Sequence, residues 1–180
     1  MITKNGGSRV RFTSSASVKS PGFDINDIGF LQRADQRTLS NWIQMRYDTP
    51  SKYLRSFRHN LNRWAGWNFD RDLRFSGGNV NAHAVFANNW STGFGINVSD
   101  RGFDDRATRG GPGVYTNSAR ALWTYLSSDN RHAVSAGINT YHASDGRGTT
   151  FGDLSPSLSY RPSSFLTVSG GLRFSRTLNC

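Results

Sequence analysis

Apolar and polar residues alternate one for one along some nine stretches of this chain, and that period of two constrains its fold more than any motif does. In "WSTGFGINV" (90–98), Trp90, Thr92, Phe94, Ile96 and Val98 point one way and Ser91, Gly93, Gly95 and Asn97 the other. Leu166, Val168, Leu172 and Phe174 repeat the pattern in 164–174, and Val134, Ala136 and Ile138 in 132–141. It recurs near 8–18, 37–47, 57–69, 78–87, 118–127 and 149–160. The spacing predicts an all-β chain of roughly nine antiparallel strands, each of about 9–13 residues. Sandwich strands run to about 5–6 residues, whereas a strand tilted across a bilayer needs about 9–11. The expected fold is therefore a transmembrane β-barrel or part of one, with a soluble β-sandwich as the alternative.

Composition supports narrow apolar faces rather than a thick core. Apolar residues make up 36% of the 180 and mean hydropathy is −0.57, yet aromatics reach 13%, too many for a disordered chain. All 12 acidic residues are Asp, a turn former, with no Glu to favour helices. No apolar run is long enough for a membrane-spanning helix. The net charge of +10 comes mostly from arginines spread along the chain, which suits an anionic lipid surface better than a nucleic acid. A single Cys, Cys180, excludes a disulfide framework and a multi-cysteine metal site.

The connections alternate in length, as they do in outer-membrane barrels. Stretches 48–54, 87–90, 127–131 and 161–164 read as tight turns; 19–35, 70–77, 99–117 and 143–150 read as long loops. The richest of these, "SDRGFDDRATRGGPG" (99–113), combines Asp104, Asp105, Arg106 and Arg109 with Gly110 and Gly111. It is expected to be an extracellular loop, ordered by Asp–Arg pairs, that narrows or covers the lumen. Asn97, Arg120 and Arg173 are the candidate lumen residues. Adjacent carboxylates at 104 and 105 diverge along an extended chain, so a catalytic pair is not expected. The glycine runs fit no phosphate loop, the four histidines have no metal-ligand spacing, and no nucleophile–base set is visible. Neither catalytic residues, nor a cofactor, nor a metal are expected. Trp42, Tyr47, Trp64, Trp67, Phe69, Phe86, Trp90, Trp123, Tyr125, Tyr160 and Phe174 fall mainly towards strand ends and read as interfacial girdles, with stacking on sugar or nucleobase rings as the functional alternative.

In the stretches "FDINDIGFLQRADQR" (23–37), "NRWAGWNFDRDLRFSGGNVNAHAVFANNWSTGFGI" (62–96) and "DDRATRGGP" (104–112), the chain resembles a bacterial domain-of-unknown-function family. That family forms the C-terminal outer-membrane barrel of proteins with an N-terminal family-9-type carbohydrate-binding module. The resemblance implies a Gram-negative outer-membrane location and no established reaction. Residues 1–180 are then a single β-barrel domain, expected to be a fragment of a longer protein, since the sugar-binding module is missing and the last residues are "RFSRTLNC". The expected function is a non-enzymatic pore, uptake partner or surface anchor associated with carbohydrate binding. Expected partners are outer-membrane lipid and lipopolysaccharide, with carbohydrate as a candidate ligand and no nucleic acid. Alternatives are a soluble carbohydrate-binding sandwich and the barrel segment of a surface hydrolase.

Overall fold

The computed structural model describes residues 1–7, 9–25, 29–31 and 33–179. Ser8, Cys180 and, within the 23–37 stretch, Asn26, Asp27, Ile28 and Gln32 lie outside the described residues. The strands are β1 (Ile2–Lys4), β2 (Val10–Lys19), β3 (Gln36–Tyr47), β4 (Leu54–Trp67), β5 (Leu73–Phe86), β6 (Ser91–Ser99), β7 (Phe103–Asp104), β8 (Val114–Tyr115), β9 (Ala119–Ser127), β10 (Val134–Asp145), β11 (Thr150–Ser163), β12 (Leu166–Gly171) and β13 (Phe174–Leu178). There is no helix among the described residues. Strands β1 to β6 and β9 to β12 form one antiparallel sheet in sequence order, and β13 extends β12 along the edge of β11. The sheet is open, with β1 at one end of its order and β12 at the other. The pair β7–β8 makes a separate small ribbon inside the long connection that follows β6.

Nine of these strands stand where the alternation places them. Three details differ. The stretch 70–77, expected as a long loop, is a five-residue turn over 68–72. Its Asn68 side chain accepts from the Asp72 backbone N–H at 2.7 Å and donates to the Asp72 carboxylate at 2.8 Å, which lets β5 begin at Leu73. The stretch 143–150 contracts to a turn over 146–149, because the Asp145 carboxylate collects the N–H groups of Arg147 and Thr149, each at 2.9 Å. Asp side chains that bond forward in this way replace loop length with local hydrogen bonds. The last strand is split, with Leu172 and Arg173 between β12 and β13.

The register sorts side chains onto two unlike faces. Met45, His59, Ala82, Phe94, Thr124, Thr140, Leu154 and Phe174 are successive cross-strand neighbours on one face, and Ile43, Leu61, Val80, Ile96 and Leu122 form the next row. The one polar pair among them, Thr124 and Thr140, satisfies itself through a 2.8 Å hydroxyl hydrogen bond. Behind these rows, on the other face, lie Gln44, Asn60, Asn81, Gly95 and Trp123.

No second layer covers the apolar face. Among the described residues Ala82 is the only buried apolar side chain in the sheet and no large side chain is fully buried, while Leu61, Phe94 and Ile96 are each 50% exposed. The accessible surface of 12390 Å² compares with about 8,700 Å² for a compact monomer of this mass. A single sheet gives that excess, because each strand has neighbours only beside it. The short turns 48–53, 87–90, 128–133 and 164–165 share one rim. The two long connections, 20–35 and 100–118, share the other.

Candidate ligand-binding face and the stapled rim

The face opposite the apolar rows is built from amides, glycines and aromatic rings. Asn60 accepts at Oδ1 from the Trp42 indole N–H (3.1 Å) and the Gln44 amide (2.9 Å), and donates to Asn81 at 2.7 Å. Asn81 donates to Asn79 at 3.0 Å, and Asn62 donates to the same Asn79 oxygen at 2.7 Å. The chain of amides thus crosses β3, β4 and β5. Asn97 stands opposite Asn79 on β6, which extends the amide row by one strand. Asn at these positions follows from the pattern itself, since a partly buried polar face must supply both donors and acceptors.

Rings occupy the space that glycines leave. A Cβ added at Gly95 would sit 2.5–2.6 Å from three indole atoms of Trp123, so the indole lies across the Gly95 backbone. At Gly93 it would sit 2.5 Å from the Tyr125 ring and 2.8 Å from His83. Trp123 and Tyr125 are stacked, with planes 8° apart and centroids 6.3 Å apart, and the Tyr125 hydroxyl and His83 Nδ1 are 3.0 Å apart. Next to them, toward the short turns, is a depression of about 490 Å³ whose lining includes Ser91, Ser127, Ser135, Ser157 and Ser159.

Trp42, Trp64, Trp123 and Tyr125, read from the sequence as interfacial girdle residues, belong to this polar face instead. Tyr47, Trp67, Tyr160 and Phe174 do lie on the apolar face. Phe69 and Trp90 lie in turns and Phe86 ends β5, whereas position along a strand suggested a girdle for all eleven. Parity within the strand was the signal that separates the two groups, and for Trp64, Trp123 and Tyr125 a glycine across from the ring marks it as well.

At the opposite rim the Asp–Arg loop is ordered, through partners the sequence did not suggest. Asp105 accepts both bonds of Arg33 Nη2, at 2.5 and 2.6 Å, and one from Arg74 at 2.5 Å. Arg74 also stands 3.9 Å from Asp104, and its side chain is only 8% exposed. Arg33 belongs to the 20–35 connection and Arg74 to β5, so one carboxylate ties together two long connections and a strand end. The Asp104 carboxylate accepts from the backbone N–H of Arg106 at 3.0 Å, and the N–H of Arg109 donates to the Arg106 carbonyl at 3.0 Å. Arg109 and Gly110 take φ of 52° and 109°, left-handed values that reverse the backbone there. Gly111 closes the turn through Thr108.

The base of this loop is fixed by Asp100, which accepts from Ser76 Oγ at 2.5 Å and from Arg63 at 3.3 Å. Those contacts hold its carboxyl below the ordinary carboxylate range. Arg63, Arg74 and Ser76 share the parity of the apolar face, so these anchors grip the rim on that side. Among the candidate lumen residues, Asn97 is on the polar face, and Arg173 reaches it by donating to Asp153 at 2.5 Å. Arg120 is a correction: it pairs with Val98 and neighbours Leu122 in parity, which puts it on the apolar face. A one-residue step along a strand always exchanges faces. No group of three or more metal-ligating side chains occurs among the described residues.

Together these features define a class: an all-β, single-layer antiparallel sheet with one exposed apolar face and one face rich in amides, glycines and aromatic rings. The chain belongs to the family described as Domain of unknown function (DUF5916), whose model matches residues 1–179. Neither the curated proteins nor the solved structures contain a match.

Proposed function

We propose that this domain is a non-enzymatic outer-membrane β-barrel that serves as a pore, uptake partner or anchor for a carbohydrate-binding surface protein. The observation that carries this reading is the apolar face: long strands expose Leu39, Ile43, Leu61, Val80, Phe94, Ile96, Leu122 and Leu158, and nothing packs over them. A nine-residue strand such as β6 runs about 30 Å, or about 23 Å along the bilayer normal at the usual tilt, close to the apolar band of such barrels. The amide face then lines water, and the rim of long connections faces outward. Lipid does not tolerate free sheet edges, so the β1–β2 and β12–β13 edges must be closed in the membrane by further strands or another copy. Lipid and lipopolysaccharide are the partners of the apolar face and of the arginines at the outer rim.

Membrane fractionation of the full-length protein tests this. Recovery in the outer membrane, with extraction only by detergent, is the expected result. A monomer that stays soluble without detergent refutes the barrel.

A further inference from the structure

We infer that the polar face of β5, β6 and β9 is a track for a neutral oligosaccharide, with Trp123 and Tyr125 as its stacking platform. The inference rests on the barrel reading only in taking this face to be open to water.

Two side chains two residues apart on β9 present rings in nearly parallel planes, 8° apart with centroids 6.3 Å apart, each lying over a glycine of β6. Gly95 makes this possible for Trp123, because any Cβ there would occupy the ring's own position. With one ring face on the backbone, the other is turned away from the sheet. A flat aromatic pair of that kind matches the C–H-rich faces of successive pyranose rings, which stack on aromatic surfaces while their hydroxyls bond sideways. Sideways is where the hydrogen-bonding groups are. Asn81 and Asn97 flank the rings, and the serine-lined depression of about 490 Å³ continues the path past Tyr125 toward the short-turn rim. Amides offer two donors and two acceptor sites each, and the cross-strand bonds engage only part of that capacity.

Charge sets the ligand class. From Phe75 to Val85, Ser91 to Ser99 and Ala119 to Ser127, every position on this face is an apolar, hydroxyl, amide, glycine or aromatic residue, with His83 the one titratable base. No carboxylate or guanidinium from these three strands meets a ligand there. Arg58, opposite His83 on β4, has its charge matched by Asp48 at 3.4 Å, so a phosphorylated or uronic-acid polymer would have its charges desolvated here against a guanidinium already paired, whereas a neutral sugar has only hydroxyls to satisfy.

The test uses the purified protein in detergent micelles, with maltohexaose, cellohexaose and xylohexaose as neutral probes and hexagalacturonate as the anionic one. Binding is read by intrinsic fluorescence and calorimetry. At least one neutral probe is expected to bind, and Trp123→Ala and Tyr125→Ala are each expected to weaken it tenfold or more. Trp90→Ala, in the turn between β5 and β6, is expected to leave it unchanged. Far-UV spectra and heat-modifiable gel mobility check folding. Should Trp123→Ala fail to fold, Trp123→Phe is expected to weaken binding by threefold or more. The inference is overturned if no neutral probe binds, if hexagalacturonate binds as tightly, or if the folded Trp123 variant matches wild type. Insertion without sugar binding overturns the track and leaves the barrel standing; sugar binding by a detergent-free monomer does the reverse.

Discussion

Placing an arginine at Phe94 and, separately, at Asn97 distinguishes the two faces of one strand. Phe94 is the fourth of nine residues in β6, about 10 Å from its start, and sits between Ala82 and Thr124 in the middle of the apolar rows. If that face meets lipid, Phe94→Arg puts a guanidinium near the bilayer midplane, which costs about 2–4 kcal/mol in outer-membrane barrels. Loss of the phenyl ring's contact with lipid adds a further ~1 kcal/mol, since the ring is half exposed. The sum, about 3–5 kcal/mol, corresponds to a folding equilibrium lowered roughly a hundred- to several-thousandfold. Asn97 is three residues further on and faces the other way, opposite Asn79. An arginine there meets amides and water, so its cost is expected to stay under about 1 kcal/mol. Urea titration of the protein refolded into lipid vesicles, followed by tryptophan fluorescence, measures both. Equal costs at the two positions, or the larger cost at Asn97, would show that the sheet does not present its apolar face to lipid.

Gly95→Val is expected to destabilise the protein by about 1–3 kcal/mol through overpacking and to displace the Trp123 indole from the sheet, seen as a shift in its emission; an unchanged spectrum would contradict the close approach. Arg74→Ala removes a nearly buried guanidinium from Asp104 and Asp105 and is expected to loosen the long connection by about 1.5–3 kcal/mol. Limited proteolysis then cuts within 106–113 faster than in wild type while the strands stay protected. Arg131, bonding through side chain and backbone N–H, holds the Asp129 carboxyl well below the usual carboxylate range. A depressed carboxyl stabilises the fold above its unfolded pKa of about 3.9 and loses that contribution as pH falls toward the folded value. The Arg131 side-chain N–H resonance is therefore expected to stay constant from pH 8 down through about pH 4, where ordinary carboxyls titrate, and to move only at more acid pH, with no such transition in Asp129→Asn.

The strands were legible because the alternation is strict. In β6 every even residue is on the exposed apolar side and every odd one on the polar side, as the pattern alone requires. Connections were less legible, since loop length depends on whether a side chain closes the turn. Asn68 and Asp145 do so through hydrogen bonds whose geometry no spacing rule contains. The Asp–Arg loop was legible as an ordered loop but not in its partners. Arg33 and Arg74 are 72 and 31 residues from Asp105, and only the sheet order makes them neighbours. The ring platform was hidden for a similar reason. Trp123 and Gly95 are ordinary residues in their own strands, and their relation exists only across the β6–β9 pairing.

That pairing explains how a sheet without a core holds a single shape on its polar side. Where β6 and β9 run side by side, the large residues are on one strand and the glycines on the other: Tyr125 against Gly93, Trp123 against Gly95. Trp64 faces Gly77 in the same manner between β4 and β5, and Phe75 faces Gly66. Each glycine weakens its own strand, because it has no side chain to pack and more backbone freedom to lose. The ring laid over it restores contact area and shields the exposed peptide, so the two defects correct each other only in one register. A slip of two residues, which would keep the apolar face intact, would set Trp123 against Asn97 in one direction or Tyr125 against Ser91 in the other, so one of the two rings would lose its glycine. Face alternation forbids slips by one, and the ring–glycine pairs forbid slips by two. The same pairs that fix the register leave flat aromatic surfaces on the side of the sheet where a ligand can reach them.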